Sequence, residues 1–394
     1  MAADVRIPSY SGSSTHVMEV SKGLTELGDV MYVLCRWEGF SQKRFEEIQG
    51  IRIFRMARLP ALRASRSLRL RKRHDTPRSF LERLYRVYLG FIHLFYATYF
   101  VVRIIRKYNI DVIMERSSSL GCGTFAGFIT SRPVVLEVND PVYNRASLRI
   151  ARKIIATSEK LIPNEFRNKL KVVTWGVNTA LFNRNISGEA IREKLGLINY
   201  PVVLFVGSFA DWHGLDDLIQ AGRAIVRELP HVRFMVVGGG KGHPNYKRIV
   251  DKAQKLGLLG NFLFVGTVDY REIPNFIAAS DVAVAPYDPR RSEYTRKYGF
   301  FYSPLKIFEY MAVGKPVVAT RVENVSQIIE NGVDGLLVEP GDYEELAQAI
   351  LKLLKSSDLA KQLGDNAYLK SKNYSWEKHC EMLNGILLEC IRRR

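Results

Sequence analysis

The chain has 394 residues and a mass of 45.0 kDa, which is long for one average domain and predicts two. Its residues are 47% hydrophobic and 25% charged, so a disordered tail, a fibrous repeat and a small disulfide scaffold are excluded. The N-terminus shows no signal-peptide pattern, so none is expected. Four cysteines form no CxxC pair, which argues against a zinc site and fits a reducing cytoplasm: Cys35, Cys122, Cys380 and Cys390.

The positive charge is concentrated in one segment. The formal net charge is +18, and residues 52–107 hold 15 lysine and arginine residues against two acidic ones, Asp75 and Glu82, which leaves +13 there. Like charges repel, so folding does not require such a block, and an anionic partner is indicated. That partner is nucleic acid, an acidic bilayer or a phosphorylated lipid, and the alternative is a solvated basic helix face.

An apolar stretch of 16 residues, 87–102, lies within this segment. A bilayer span needs about 20 apolar residues, so a transmembrane helix is disfavoured. Two interpretations remain open: a buried helix of the first domain, which is favoured, or an interfacial surface with its basic flanks, as in a monotopic membrane protein. The flanking cations are Arg83, Arg86, Arg103, Arg106 and Lys107.

Taken in chain order, the elements alternate between strands and helices. In the first half a small-residue turn at 12–15 precedes a helix at 15–27, and strands are predicted at 29–35, 111–115 and 134–139. The residues before that turn offer almost no apolar strand, so either the first strand is very short or the start codon was assigned too late. The second half predicts strands at 202–207, 232–237, 262–265, 281–285 and 316–320, with helices at 214–228, 246–256, 273–279 and 303–313. Short apolar strands separated by helices predict two doubly wound α/β domains facing across a cleft, with the boundary near 176–185.

The richest chemistry lies in 298–320, YGFFYSPLKIFEYMAVGKPVVAT. Ser303 is predicted to cap a helix whose first residue is Pro304, which leaves the amides of Leu305 and Lys306 free to bind a phosphate. Lys306 stands where the helix dipole disfavours a cation, which suggests an anionic ligand. Glu309 shares its face, and its two oxygens match a ribose diol. The alternative is a Lys–Glu pair on an ordinary helix.

Three further features leave their interpretations open. The run GGGKG at 238–242 either cradles a phosphate or is a plain strand-to-helix turn, and the plain turn is favoured. Glu137 either lines the cleft or pairs with a basic residue. The polar loop 288–297 is either a mobile flap near a ligand or a surface loop.

Several segments together resemble glycosyltransferase family 4, a retaining family with the GT-B fold. SPLKIFEYMAVGKPVVAT resembles the nucleotide-sugar motif, and VVTWGVNTALFNR is similar to the interdomain segment. FVGSFADWHGLDDLIQA and FVGTVDYREIPNFIAASDVAVAPY resemble the opening and base-binding parts of the donor domain, and ENGVDGLLVEPGDYEELAQAI resembles the closing segment. The match covers 172 to about 360, whereas the N-terminal half matches only in its glycine turn and general organisation.

The resemblance implies roles for individual residues. Glu309 matches the second glutamate of the family's Glu–seven residues–Glu motif, which holds the ribose. Asn139 and Asp140 stand where the family has a His or Asp near the transferred sugar, and Lys306 and His213 would stabilise the leaving phosphate. The expected catalytic residues are therefore Lys306, His213, Asn139 and Asp140. The expected donor-binding residues are Gly12, Ser13, Gly207, Ser208, Gly266, Thr267, Val268, Ser303, Leu305, Lys306 and Glu309.

The sequence also departs from the family pattern. Phe301 stands where the first motif glutamate would fall, and it has no group that hydrogen-bonds a sugar hydroxyl. The family's Arg and Lys in the opening loop align with Ser208 and His213. Lys306 compensates for one lost cation, and His213 replaces the other as a donor, most strongly if protonated. An inactive relative is therefore an alternative.

The expected function is a retaining transfer of a sugar from a UDP- or GDP-sugar to a lipid-linked or membrane-associated glycan. No cofactor or metal is expected, since the chain has no Asp-x-Asp pair. The expected domains are 1–178, with a C-terminal helix at 375–394 packing back on it, and 179–374. We expect a cytoplasmic protein, peripheral on the inner face of the membrane through 52–107. The rival classes are a basic protein that binds nucleic acid or membranes, and another GT-B enzyme such as an epimerase or a sugar phosphorylase. Nucleic acid is disfavoured, because aromatic residues do not interleave with the basic run.

Overall fold

The computed structural model describes residues 1–7, 9, 12–37, 42–57, 80–116 and 121–392, with the backbone alone for 80–87. These residues form two compact units: a first unit of Met1–Val173 with His379–Arg394, and a second unit of Thr174–Lys378. The chain therefore leaves the first unit at Val173, where residue 178 was predicted, and returns to it at His379, where residue 375 was predicted.

The first unit contains a largely parallel sheet with helices between its strands. Its strands and helices are β1 (Ala2–Arg6), α1 (Gly12–Glu26), β2 (Tyr32–Trp37), β3 (Phe45–Ile48), β4 (Ile51–Ala57), α2 (Phe80–Tyr108), β5 (Ile113–Arg116), α3 (Cys122–Thr130), β6 (Val134–Val138), α4 (Arg145–Ile150), β7 (Lys153–Ala156) and β8 (Leu170–Val172). Within the described residues the sheet order is β3-β4-β2-β1-β5-β6-β7-β8, and β3 pairs antiparallel to β4.

The order reverses around β1, which pairs in parallel with both β2 and β5. This strand is five residues long, and the sequence pattern offered almost no apolar signal for it. Strand β6, by contrast, has the sequence VVLEV and is buried at every position, as expected for a parallel strand covered on both faces. The reversal places the ends of β1, β5 and β6 at one edge of the sheet, which is where ligands bind in open α/β sheets.

The second unit repeats the alternation more regularly. Its elements are α5 (Glu189–Leu195), β9 (Val202–Val206), α6 (Leu215–Glu228), β10 (Arg233–Val237), α7 (Tyr246–Lys255), β11 (Phe262–Gly266), α8 (Ile273–Ala278), β12 (Val282–Ala285), α9 (Glu293–Tyr298), α10 (Leu305–Ala312), β13 (Val317–Thr320), α11 (Glu323–Ser326), β14 (Leu336–Val338), α12 (Tyr343–Lys355), α13 (Ser357–Ser371) and the start of α14 (Trp376–Arg392). From His379 onwards α14 belongs to the first unit.

This second sheet is parallel, with the order β11-β10-β9-β12-β13-β14 among the described residues. Hydrophobic residues fill both of its faces, with Val203 and Phe205 in one cluster and Leu204 in the other. The order reverses between β9 and β12, so the loops that follow these two strands lie together. The prediction of two doubly wound α/β units is confirmed.

The apolar stretch at 87–102 is part of the long helix α2. One face of α2 contributes Ala97, Val101 and Ile105 to the core of the first unit, while Tyr88 and Phe95 are exposed. The favoured interpretation, a buried helix, is therefore correct for the face that holds Ala97, Val101 and Ile105, and wrong for the face that holds Tyr88 and Phe95. Among the described residues, Tyr88–Tyr108 is the one helical stretch long and apolar enough to cross a membrane by length and composition.

Candidate functional site

In the second unit, side chains from three segments converge where β9 ends. Gly207 follows β9, and a Cβ atom on it would lie 2.8 Å from Lys306 Nζ and 3.1 Å from His213 Nδ1. Lys306 comes from the first turn of α10, and His213 from the 3₁₀ turn Asp211–His213 before α6. A side chain at 207 would therefore fill the space beside the two nitrogen-bearing groups, which glycine leaves open. We call Gly207, His213, Lys306 and Glu309 the second-unit site.

Lys306 carries a buried ammonium group without a hydrogen-bond partner in the described structure. Its Nζ atom lies 4.6 Å from the ring centre of Phe205 and 5.0 Å from that of Tyr287. Burial lowers the pKa of Lys306 to about 7, although the nearby Glu309 acts in the opposite direction. A buried cation held by aromatic faces alone is costly, so this geometry suits an anionic group placed over Gly207.

His213 is held in its neutral form. Burial, and then the neighbouring Lys306, keep the pKa of His213 well below its usual value. Its Nδ1 lies 2.8 Å from the carbonyl oxygen of Ser208, so Nδ1 carries the proton of the neutral ring and donates it there. Nε2 then has a lone pair. The expected role as a protonated donor is therefore not met in the ligand-free protein, and His213 must gain a proton to donate to a phosphate.

Glu309 is 4% exposed and lies one turn after Lys306 on α10. Its Oε1 accepts a hydrogen bond of 2.8 Å from the Tyr270 hydroxyl group. Burial raises the pKa of Glu309 to about 7, against the lowering effects of Tyr270 and Lys306. The sequence predicted that both carboxylate oxygens match a diol, but Tyr270 occupies one of them. Oε2 is the oxygen available to a ligand hydroxyl.

The start of α10 differs from its prediction. The helix begins at Leu305, and Pro304 occupies the N-cap position that was assigned to Ser303. The Ser303 hydroxyl group instead accepts a hydrogen bond of 3.3 Å from the Trp175 amide. The Leu305 amide, predicted to be free, donates to the Ser303 carbonyl oxygen at 2.9 Å. Of the two amides that were predicted to be free, Leu305 and Lys306, only that of Lys306 stays available for a ligand in the described structure.

The turn after β11 is tied to the glycine run after β10. The carbonyl oxygen of Gly266 accepts from the Gly238 amide at 2.7 Å, and the Thr267 hydroxyl group donates to the Gly239 carbonyl at 3.0 Å. Val268 is half-buried against the core. A Cβ atom on Gly238 would collide with the backbone of Gly207. Gly238 therefore packs directly against Gly207, and nothing lies within 4 Å of the position that a Cβ atom on Gly266 would take. Whether the run cradles a phosphate or is a plain turn stays a prediction.

Aromatic residues that the sequence reasoning missed pack beside the second-unit site. Trp212 stacks on Tyr302, with ring centres 4.4 Å apart and planes at 12°, and its ring centre lies 3.9 Å from that of His213. Phe301, in place of the family's first glutamate, is buried with its ring 4.3 Å from Tyr302. The signal for this cluster was the aromatic content of FADWHG and YGFFYSP, the two loops that frame the motif.

The loop at 288–297 is anchored at its start. Buried Asp288 accepts from Arg290 Nε and Arg291 Nε, each at 2.8 Å, and its amide donates to the Trp212 carbonyl at 3.0 Å. Arg291 also pairs with Asp217 on α6. These contacts favour the surface-loop interpretation over a mobile flap.

In the first unit, a buried cluster forms at the ends of β5 and β6. Arg116 Nη1 lies 2.8 Å from His16 Nδ1, and His16 Nε2 lies 3.0 Å from Glu137 Oε1. Burial lowers the pKa of His16, and the neutral ring accepts from Arg116 at Nδ1 and faces the Glu137 carboxylate with Nε2. Burial alone would raise the pKa of Glu137, but His16, Arg116 and Asn139 together hold it at about 2. Of the two interpretations of Glu137, pairing with a basic residue is the one observed.

Other predicted residues surround this cluster, which we call the first-unit cluster (His16, Arg116 and Glu137). Gly12 and Ser13 open α1, one turn before His16. Asn139 and Asp140 follow β6 directly, and Asp140 Oδ1 accepts from the Val142 amide at 2.9 Å. Burial raises the pKa of Asp140, although that amide and Arg116 act against the shift. The catalytic roles of Asn139 and Asp140 stay predictions. The described residues include no group of three or more histidine, cysteine, aspartate or glutamate residues arranged to hold a metal ion.

Comparisons with known proteins identify the second unit's relatives. Residues 200–356 match the family model of group 1 glycosyl transferases. An uncharacterized glycosyltransferase of Methanocaldococcus jannaschii is 32% identical over 57% of this chain and 56% of its own length. The alpha-D-kanosaminyltransferase of Streptomyces kanamyceticus is 29% identical over 66% of this chain and 68% of its own length. The chain thus spans a little more than half of the first relative's length and about two thirds of the second's.

Solved structures extend the similarity in fold to the whole chain. A glycosyltransferase from Rickettsia africae has a TM-score of 0.75 at 20% identity, covering 100% of this chain and 98% of that one. Sucrose-phosphate synthase from Thermosynechococcus elongatus has a TM-score of 0.74 at 20% identity, covering 100% and 96%. HepE of Anabaena, crystallised with UDP-glucose, has a TM-score of 0.71 at 21% identity, covering 98% of each chain. The fold is GT-B, and residues 200–356 are similar to group 1 glycosyl transferases.

Proposed function

We propose that this protein is a retaining glycosyltransferase that moves a sugar from a nucleotide diphosphate sugar to an acceptor. The observation that carries the proposal is the buried ammonium group of Lys306, which has no hydrogen-bond partner in the described structure and lies beside His213 over Gly207. A diphosphate would supply the missing anion. Glu309, one turn further on α10, would hold the ribose through Oε2.

Departure of the nucleotide diphosphate builds negative charge on the leaving oxygen. Lys306 Nζ and the Lys306 amide are fixed before the donor arrives, so they stabilise that charge without reorganising. His213 is neutral in the free protein and gains a proton when the phosphate binds, because a dianion at hydrogen-bond distance favours the imidazolium form. The Ser208 carbonyl group orients its ring through Nδ1. Ser208 would contact a phosphate oxygen from the same loop.

The donor is a UDP- or GDP-sugar, and HepE, crystallised with UDP and with UDP-glucose, supports UDP. The base would lie against Gly266, Thr267 and Val268, and nothing lies within 4 Å of the position that a Cβ atom on Gly266 would take. No metal is required, since Lys306 and His213 supply the positive charge. Phe301 removes the carboxylate that relatives offer to the sugar, so hydroxyl groups there are recognised differently. The roles of Gly12, Ser13, Asn139 and Asp140 toward the donor stay predictions that rest on the resemblance.

The acceptor is a lipid-linked or membrane-associated glycan, and the protein works on the cytoplasmic face of the membrane. The sequence of 52–107, with a net charge of +13, supports an anionic surface as a partner. Residues 58–79 of that segment lie outside the described residues. They include Arg69, Arg71, Lys72 and Arg73, whose replacement by serine is expected to weaken binding to liposomes and leave donor binding intact.

The proposed function is tested by thermal-shift titration with UDP-, GDP-, ADP- and dTDP-sugars. A donor that binds the native state raises the melting temperature in a dose-dependent way. We expect a shift with one nucleotide, loss of that shift in Glu309→Ala, and an unchanged shift in the control Glu193→Ala, whose carboxylate is exposed on α5. The absence of a shift with every nucleotide sugar would contradict a donor site and favour an inactive relative.

A further inference from the structure

One face of α2 is apolar, aromatic and exposed to solvent. Its large side chains recur every three or four residues, the spacing of one helix face. We call them the aromatic stripe: Tyr88, Phe91, Ile92, Phe95, Tyr96 and Tyr99. Phe95, near the middle, is 72% exposed. Soluble proteins rarely expose a continuous apolar patch of more than a few hundred Å², and larger patches mark an interaction surface.

The opposite face of α2 is buried in the protein, which excludes a helix that spans a bilayer. Ala97, Val101 and Ile105 pack into the core of the first unit with Leu34 of β2 and Ile113 of β5. A helix packed on a sheet along one side is not surrounded by lipid, so α2 does not span a bilayer although its length and composition would allow it. The stripe contacts its partner from one side only.

Three exposed basic side chains extend the aromatic stripe at the C-terminal end of α2. Arg103 and Arg106 follow Tyr99 at spacings of four and three residues, and both are exposed, as is Lys107. No aspartate or glutamate occurs in 83–110. Aromatic side chains favour the boundary between lipid headgroups and acyl chains, and cations at the same level attract anionic headgroups. A second copy of this helix would offer one carboxylate, Glu82, against five cations of its own, so its net charge repels the first copy: Arg83, Arg86, Arg103, Arg106 and Lys107.

We propose that the aromatic stripe, with Arg103, Arg106 and Lys107, docks the first unit on an anionic phospholipid bilayer, with α2 lying parallel to the membrane surface. The stripe and its cations extend over about 30 Å of helix at 1.5 Å per residue. This inference deepens the membrane-associated acceptor of the proposed function. It rests on α2 alone, so it stands or falls separately from donor binding.

The test is co-sedimentation of the full chain with vesicles of phosphatidylcholine alone or mixed with phosphatidylglycerol. We expect binding to the anionic vesicles that weakens as salt is added, because counterions screen the cations. Two triple variants divide the contributions: Phe91→Ser with Phe95→Ser and Tyr99→Ser, and Arg103→Gln with Arg106→Gln and Lys107→Gln. Each is expected to lower the partition coefficient on anionic vesicles about a hundredfold.

A matched control removes three exposed apolar side chains from the second unit: Ile198→Ser, Tyr343→Ser and Leu369→Ser. This variant is expected to bind vesicles like the wild type, which excludes a general loss of surface hydrophobicity as the cause. All variants should keep their nucleotide-sugar thermal shift, so a failure of docking is distinguishable from a failure of the donor site. Unchanged sedimentation of the aromatic variant would overturn the proposal. So would a dimer that depends on the stripe in a chain that does not bind vesicles.

Discussion

The two units treat buried charge in opposite ways. In the first-unit cluster, His16 lies between two charged groups of opposite sign, 2.8 Å from Arg116 and 3.0 Å from Glu137. In the second-unit site, Lys306 lies buried without a hydrogen-bond partner in the described structure, and Glu309 is raised in pKa to about 7. Breaking a buried pair is costly, whereas an unpartnered buried cation already lowers stability. The comparison indicates that opposite charges hold the ends of α1, β5 and β6 together in the first unit, whereas the ammonium group of Lys306 suits the anionic donor proposed above.

The largest expected effect comes from breaking the first-unit cluster. Arg116→Met leaves Glu137 buried without its cation, and we expect the free energy of unfolding to fall by about 3–5 kcal/mol. Urea unfolding followed by circular dichroism measures this. The matched control is Arg145→Met, which breaks an exposed pair with Glu165 and should cost about 1 kcal/mol or less. Equal losses in the two variants would mean that the cluster is not a structural device.

Removing the cation of the second-unit site should lower donor affinity and should not lower stability, unlike Arg116→Met. Lys306→Met keeps most of the side-chain volume and removes a buried charge, so we expect stability to stay level or to rise. Affinity for the nucleotide sugar should fall by roughly 10- to 100-fold, because one charge-assisted hydrogen bond is lost. Isothermal titration calorimetry and urea unfolding on the same samples give both quantities. A destabilised variant with unchanged donor affinity would place Lys306 with the structural charges.

Glu309 makes the stability of the second unit depend on pH. Its pKa is raised from 4.5 to about 7, so the folded state binds more protons than the unfolded state between these values, and stability falls as pH rises through that window. Glu309→Gln accepts from Tyr270 without this cost. We therefore expect the variant to melt at a higher temperature than wild type at pH 8 and at a similar temperature at pH 4.5. A constant difference between the two proteins across the window would contradict this.

Glu137 should behave in the reverse sense, since its pKa is lowered from 4.5 to about 2. Its contribution to stability is present above 4.5 and is lost as pH falls towards 2.

The smallest expected effect is the uptake of a proton when the donor binds. His213 is neutral in the free protein, so donor binding near pH 7 should take up as much as about one proton. Calorimetry in buffers of different ionisation enthalpy measures that uptake. His213→Gln keeps a polar group at the site and should remove the uptake while retaining weaker binding. Equal proton uptake by the two proteins would assign the proton to another group, with Lys306 the first to examine because its pKa is lowered to about 7 in the free protein.

The sequence by itself determined the alternation of strands and helices in the second half, because apolar runs and glycine turns are local signals. It also placed Lys306 and Glu309 on one helix face, since a separation of three residues has that geometry in any helix. Strand β1 escaped detection because its residues gain their burial from β2 and β5 rather than from their own hydrophobicity. The apolar stretch within α2 was recognised, but its composition did not reveal which face is covered.

Only the tertiary structure decided how the polar groups are used. Ser303 accepts from the distant Trp175 amide rather than capping α10, and Glu137 pairs with His16, from the far end of the unit's sequence. Lys306 differs from these because its ammonium group has no hydrogen-bond partner in the described fold and lies against aromatic rings. Hydrogen-bond partners and exposure depend on segments brought together by the sheets, and spacing along the chain carries no information about them.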